Sequence, residues 1–250
     1  MEVHVLASGS DGNCAVVVYE GHAVMIDAGL SGKRITELMN LNGLDSSMIK
    51  SILITHEHSD HTSGAGIMAR KLNVPIQCNE RTYRSYNFGN VVYSKITTKE
   101  MFVSGEMEIT PLPTSHNASE PNAFMFRAGG KKVLIATDTG KMMCEVESEL
   151  HDADLAVLES NYDRHMLAAG PYPIMLKRLV GSDIGHLSNV DCAESLKRTM
   201  SEKRKIFLAH LSRNNNTPDT ARETVSEITG IRRPKIDCLE FKGDTRIIKV

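Results

Sequence analysis

The chain has 250 residues, 41% hydrophobic and 24% charged, enough for a sizeable core and too apolar for a disordered or collagen-like protein. Lysine and arginine together number 29 against 31 acidic residues, a net charge of -2, so no bulk basic field draws nucleic acid and such binding needs a local patch. No apolar run approaches the roughly 20 residues of a membrane helix, and Met1-Glu2-Val3-His4-Val5-Leu6 has neither the basic nor the apolar part of a secretory leader. The five cysteines (14, 78, 144, 192 and 238) are odd in number, scattered, and never in a C-x-x-C pair. That pattern predicts a reduced, cytoplasmic protein with no membrane association, and neither a disulfide framework nor a zinc–thiolate site.

In chain order, residues 3–6 and 15–19 read as strands around a polar loop, Ser8-Gly9-Ser10-Asp11-Gly12-Asn13. A Glu20-Gly21 turn leads to a strand over 23–26 that ends at Asp27-Ala28-Gly29. A helix is predicted over 32–41, a short buried strand over 51–54, a helix over 63–72 and a strand from Pro75. The second half repeats this grammar. Residues 123–127, a Gly129-Gly130 turn and 132–136 end at Asp138-Thr139-Gly140, and 155–158 run into Glu159 as 52–55 run into His56. A helix follows over about 188–203, an apolar strand over 205–209, and a helix over 218–229 capped by Thr217 with Pro218 at its first position. The tail, 238–241 and 246–250 around Lys242-Gly243-Asp244, reads as a closing hairpin. Alternating strands and helices predict an α/β layered fold. No linker or charge block divides the chain, so one domain over 1–250 is expected.

The strongest motif is His56-Glu57-His58-Ser59-Asp60-His61, an H-x-H-x-D-H run directly after a buried strand. Imidazole and carboxylate ligands suit zinc, manganese or iron. An extended chain sends His56 and His58 to one side, where both can ligate a single ion, and the following turn lets Asp60 and His61 reach a second. His116, Asp138 and His210 each follow an apolar strand, and Asp138 is placed to bridge two ions. His-Leu-Ser occurs twice. His210 follows a buried strand, as His56 does, and is assigned to metal. His186 lies just ahead of a helix for which Ser188 is a good N-cap, an end that favours anions, and is assigned to the substrate or leaving group.

Together these residues resemble the metallo-β-lactamase superfamily, and more closely its WalJ/YycJ-type hydrolases. The closer match adds Leu6-Ala7-Ser8-Gly9-Ser10, Gly12-Asn13, Thr114-Ser115-His116-Asn117, Gly185-His186-Leu187-Ser188-Asn189 and Leu208-Ala209-His210-Leu211-Ser212 with Asn215. The resemblance implies a four-layer αββα sandwich with the active site on one edge of the sheets. It implies two divalent ions (Zn²⁺ or Mn²⁺, with Fe as a further candidate): His56, His58, His116 and Asp138 on the first, Asp60, His61, Asp138 and His210 on the second. Asp27 looks like the superfamily's early aspartate, which supports ligands from behind. One departure is Asn117, where related proteins often carry Asp.

Two ions sharing a water lower its pKa to roughly 7, and a phosphodiester attacked by that water is the expected substrate. Asp60, also a ligand, and His186, as proton donor, are the candidate catalytic residues. Ser8, Ser10, Asn13, Ser188 and Asn215 are the candidate substrate contacts. The resemblance implies a 5′-to-3′ exonuclease, with DNA ahead of RNA as substrate. A cyclic phosphodiesterase or a thioesterase is the alternative, although a thioesterase has no need of His186. A β-lactamase would carry Cys where Asp138 stands, and a di-iron redox enzyme Glu where His58 stands. The non-enzymatic alternative, a metal-dependent interaction module, fits poorly with a ligand set that is complete.

Overall fold

The computed structural model describes residues 1–240 and 243–250. One mixed sheet has the order β14-β1-β2-β3-β4-β5-β6. Its strands are β1 (Glu2–Ala7), β2 (Cys14–Tyr19), β3 (His22–Ile26), β4 (Ile49–Leu53), β5 (Ile76–Cys78), β6 (Tyr93–Lys95) and β14 (Arg246–Lys249). The other has the order β13-β12-β11-β10-β9-β8-β7. It is built from β7 (Phe102–Ser104), β8 (Met107–Pro113), β9 (Asn122–Ala128), β10 (Lys131–Ala136), β11 (Leu155–Glu159), β12 (Lys205–Ala209) and β13 (Ile236–Cys238). The predicted repeat is a repeat of topology. In the first sheet β1, β2 and β3 pair antiparallel and β3 to β6 parallel. In the second, β8, β9 and β10 pair antiparallel and β10 to β13 parallel.

The sheets are covered by α1 (Gly32–Leu41), α2 (Ser59–Thr62), α3 (Ala65–Leu72) and α4 (Glu80–Ser85) in the first half. The second half adds α5 (Cys144–Asp152), α6 (Arg164–Ala169), α7 (Ile174–Val180), α8 (Asn189–Arg198) and α9 (Pro218–Thr229). Strand residues alternate between the space between the sheets and the helical layer outside each sheet. Val17, Val24, Ile135, Val157 and Phe207 meet between the sheets. Val16 and Met25 face α1 and α3, while Leu134, Leu158 and Leu208 face α5, α8 and α9. Strands buried on both faces read as nearly continuous apolar runs. The layering is helix, sheet, sheet, helix, the αββα sandwich expected.

Three boundaries differ from the sequence reading. The helix expected over 63–72 is α3 and begins only at Ala65, with the separate turn α2 ahead of it; between them the Gly64 N–H donates outside any helix, to the Ala28 carbonyl at 2.7 Å. The helix expected to reach residue 203 stops at Arg198. There the buried Arg204 guanidinium takes the Leu196 and Thr199 carbonyls at 3.2 and 2.9 Å, and the Leu150 carbonyl at the end of α5 at 2.5 Å. The tail is not a hairpin: β13 pairs parallel with β12, and β14 crosses to the other sheet to pair antiparallel with β1. Phe241 and Lys242, part of that reading, lie outside the described residues.

Candidate metal centre

The chemistry gathers where strands end. β3 is followed by Asp27, β10 by Asp138 and β12 by His210, and all three residues adopt left-handed backbone (φ 58°, 56° and 55°), a conformation in which Asp and His are enriched among non-glycine residues. The bend turns each side chain off its strand toward the sandwich edge. β4 delivers Thr55 and His56, and the chain then winds into α2, carrying Asp60 and His61. That turn is pinned from below. Asp60 O accepts the Asn13 N–H at 2.7 Å, and Ala28 N–H donates to His61 O at 2.8 Å. A Cβ on Gly29 would lie 1.6 Å from the Asp60 oxygen, so only glycine allows the two segments to touch.

The structure brings His56, His58, Asp60, His61, His116, Asp138 and His210 together in two sets. The ligand atoms of His56, His58 and His116 lie within 4.8 Å of one another, as do those of Asp60, His61 and His210; two further groups overlap these, His56 with His61 and Asp138, and Asp138 with Glu159, His186 and His210. In the first set, His58 Nδ1 is 3.0 Å from His56 Nε2 and 3.2 Å from His116 Nε2. In the second, the Asp60 carboxylate lies 3.4 Å from both His61 Nε2 and His210 Nε2. Asp138 stands between them, with Oδ2 3.2 Å from His61 Nε2 and Oδ1 3.6 Å from His210 Nε2 and 3.8 Å from His116 Nε2.

Four of the rings are held by an outward nitrogen, leaving the other for the centre. His56 Nδ1 meets Thr55 Oγ1 at 3.0 Å, and His61 Nδ1 donates to Asp27 at 2.7 Å. His116 Nδ1 donates to the Gly185 carbonyl at 2.8 Å, and His210 Nδ1 lies 3.2 Å from Glu159 Oε1. Such partners fix the ring orientation of a metal-bound histidine. With Nδ1 of His116 protonated, its Nε2 lone pair faces the two other imidazoles of the first set, and Asp138 Oδ2 is buried without an aligned hydrogen bond. A divalent cation satisfies both, so the donor set fits a metal.

Electrostatics separates the two sets. Burial holds His56 and His116 below the ordinary histidine range, as neutral rings. Burial opposes charge on His210 as well, but Asp138, Asp60 and Glu159 outweigh it and push it up to about 10. His61 is also held well above its usual value, as Asp138 and Asp27 overcome burial. Burial would raise Asp60 and Asp138; histidine contacts, His210 foremost, keep both below the carboxylate range. A cation supplies the positive charge that protons on His61 and His210 supply otherwise.

His186 lies beside this centre, and its Nδ1 contacts Glu159 Oε1 at 2.7 Å, which leaves Nε2 for the cleft. Glu159, fully buried, also accepts the Thr139 and Leu187 N–H groups at 2.7 and 3.3 Å. Sequence reasoning missed it, although the signal that picked out Asp138 and His210, a polar residue directly after an apolar strand, marks Glu159 too. Thr55 and Asn161, whose Nδ2 lies 3.1 Å from His210 Nδ1, were missed likewise. Asp27 lies behind His61. Of the five expected substrate contacts only Ser10 is exposed, and it lines the cleft of about 220 Å³ over the centre. Ser8 accepts the His210 N–H at 2.7 Å, and the buried Asn13 side chain holds His61 at 3.1 Å. Ser188 and Asn215 are fully buried. Ser188 caps α8, and Asn215 braces Ser212, so the structure does not bring either to the cleft.

Comparison with known proteins decides the family. A model described as a beta-lactamase superfamily domain matches residues 22–210. The chain belongs to the metallo-β-lactamase superfamily. Within it, the chain is 36% identical over 230 residues to the exodeoxyribonuclease YycJ of Bacillus anthracis, covering 90% of this chain and 87% of that one. It is 37% identical over 229 residues to the exodeoxyribonuclease WalJ of Streptococcus pneumoniae, covering 88% and 85%. The metallo-β-lactamase fold recurs in the crystal structure of YhfI from Bacillus subtilis, with a TM-score of 0.75, 14% identity and 98% coverage of both chains. Zn²⁺-bound PqqB from Methylobacterium extorquens aligns with a TM-score of 0.74 at 16% identity over the whole of both chains. The protein is thus a metal-dependent hydrolase of the WalJ/YycJ group of this superfamily. Among its described residues, no helix is long and apolar enough to cross a membrane.

Proposed function

We propose that the protein is a dinuclear exonuclease that hydrolyses DNA phosphodiesters in the 5′-to-3′ direction, working as one domain in the cytoplasm. The observation that carries the two-ion reading is that seven imidazole and carboxylate side chains form overlapping groups of donors, more than one four-coordinate ion needs, with Asp138 within 3.8 Å of His61, His116 and His210. DNA is preferred to RNA because both curated relatives are named exodeoxyribonucleases. His56, His58, His116 and Asp138 would hold one ion, and Asp60, His61, Asp138 and His210 the other, with zinc or manganese as the fitting metals. When bound, such ions supply a water activated near neutral pH and stabilise charge on the phosphoryl oxygens.

The chain's own residues do the rest. Glu159 fixes the ring of His186, whose Nε2, protonated, donates to the leaving oxygen as general acid. Asp27 and Thr55 hold His61 and His56 from behind. Ser10, exposed on the cleft wall, offers a hydroxyl to the substrate phosphate. Free cysteines at 14, 78, 144, 192 and 238 fit a reducing compartment.

The test is a panel of end-labelled DNA and RNA oligonucleotides, bis-p-nitrophenyl phosphate and a thioester, each with Mn²⁺ or Zn²⁺. Release of mononucleotides from the 5′ end of DNA is the expected result. Thioester cleavage without phosphodiesterase activity would overturn the proposal.

A further inference from the structure

The first set of ligands comes from two separate stretches of chain. His56 and His58 lie on the turn after β4, and His116 lies in the loop between β8 and β9. A cation site built from two segments needs both held in place beforehand, because any ordering left undone weakens binding. On one flank the loop is fastened to the stretch that leads to His186. Ser115 Oγ donates to the Asp183 carbonyl at 2.7 Å, the Asn117 N–H to the Ile184 carbonyl at 2.9 Å and His116 Nδ1 to the Gly185 carbonyl at 2.8 Å. None of these bonds reaches the segment that carries His56 and His58.

That connection is made by Glu57. Neighbouring side chains of an extended chain point to opposite sides, so the residue between the two histidines is turned away from the centre. Its carboxylate is occupied by Ser119: Oε1 accepts both the Ser119 N–H and the Ser119 hydroxyl at 2.7 Å. Oε2 is buried with no aligned hydrogen bond, so these two are the bonds the carboxylate makes among the described residues. Both ends of the link are themselves anchored. Thr62 Oγ1 donates to the His58 carbonyl at 2.9 Å, and the Ser85 hydroxyl at the end of α4 lies 2.7 Å from Ser119 Oγ.

Hydrogen bonds to an ionised acceptor are roughly twice as strong as neutral ones, and here one of them fixes a backbone N–H three residues from His116. A half-buried carboxylate also costs solvation, which an uncharged residue between the histidines would avoid. We infer that Glu57 is a positioning residue for the first ion: by holding Ser119 it sets His116 against His56 and His58 before metal binds. Glu57 acts through the His116 loop and not on the substrate. This rests on the metal-centre reading of the three histidines and adds the side chain that joins their two segments.

The test is a titration of metal-free wild type, Glu57→Ala, Glu57→Gln and Ser119→Ala with Zn²⁺ against a chromophoric chelator, which reads the affinity for each ion independently of activity. Glu57→Ala is expected to bind one ion about 10–100-fold more weakly, the usual loss when a supporting partner of a ligand is removed, and the other as wild type does. Glu57→Gln keeps an oxygen for both Ser119 donors and is expected to restore most of that affinity. Ser119→Ala keeps the backbone N–H but not the hydroxyl, and its loss should fall between wild type and Glu57→Ala. Wild-type affinity in Glu57→Ala overturns the inference. So does an equal loss in Glu57→Gln and Glu57→Ala, which would assign the effect to charge, or an equal weakening of both ions, which would assign it to the fold at large. If circular dichroism shows that Glu57→Ala does not fold, Ser119→Ala decides: a loss confined to one ion upholds the inference and unchanged affinity overturns it. These failures leave the metal-centre reading intact, whereas a wild type that binds no ion overturns both.

Discussion

The Glu159 carboxylate reaches both members of the His-Leu-Ser pair through the same oxygen, at 2.7 Å from His186 and 3.2 Å from His210. One ring then faces the cleft and the other faces Asp60 and Asp138. Their roles separate experimentally in metal content and rate measured on the same preparations. His210→Ala is expected to lose metal from the second set and all turnover. His186→Ala is expected to keep its metal complement and lose about 10²–10⁴ in rate, the contribution of a positioned general acid. Glu159→Gln, which keeps the shape but not the charge, should weaken metal binding or activity about 10–100-fold, as loss of a supporting partner does. If His186→Ala loses metal while His210→Ala keeps it, the roles are exchanged. His56 to His61 were legible as an H-x-H-x-D-H run, and His116, Asp138 and His210 because each is a polar residue soon after an apolar strand. The supporting residues were less so. Asn13 and Ser8 read as substrate contacts because loop polarity is visible in a sequence while the direction of a side chain is not. Both are turned inward, onto His61 and His210.

Helix ends were read less well than helix starts. Ser188 and Thr217 cap α8 and α9 as expected, each accepting a backbone N–H three residues on, because an N-cap is local chemistry. The end of α8 is set by Arg204, five residues past Thr199 and bonded also to α5, a tertiary contact with no local signature. Burial lowers the Arg204 pKa, yet its charge is spent on three backbone carbonyls. Replacing it with Met leaves those carbonyls without their donor, and charged hydrogen bonds of this kind contribute about 1.5–3 kcal/mol each. Arg204→Met should therefore destabilise the protein by about 2–4 kcal/mol in urea unfolding, with per-molecule activity preserved in the fraction that remains folded. Helices α4 to α7 escaped the sequence reading because each is short, six to nine residues, too brief for a periodic pattern to declare itself.

At the scale of the molecule, the candidate ligands are drawn from both sheets: His56 follows β4 of one, while His116, Asp138 and His210 follow β8, β10 and β12 of the other. Bound ions would tie the two halves of the sandwich together at one edge. A ligand that binds only the folded state adds about 4 kcal/mol at a thousand times its dissociation constant. Removal of metal with EDTA should accordingly lower the melting temperature, and Mn²⁺ or Zn²⁺ should restore it. An unchanged melting temperature would show that the ions do not link the halves. The layered fold was legible because burial on both faces writes each central strand as an apolar run. The edge strands β6, β7 and β14 were hidden or misassigned because they are half-exposed and short, and nothing local says which sheet they join.

The left-handed backbone at Asp27, Asp138 and His210 bears on how such a protein changes over generations. Few side chains tolerate that conformation, and Asp, Asn and His are prominent among those that do. A drift from Asp138 to Asn would thus keep the bend and forfeit only the carboxylate's charge, whereas a β-branched newcomer would strain the strand end itself. Descendants can shed catalysis by single steps while the architecture persists, so loss of activity in a lineage need leave no mark on its shape.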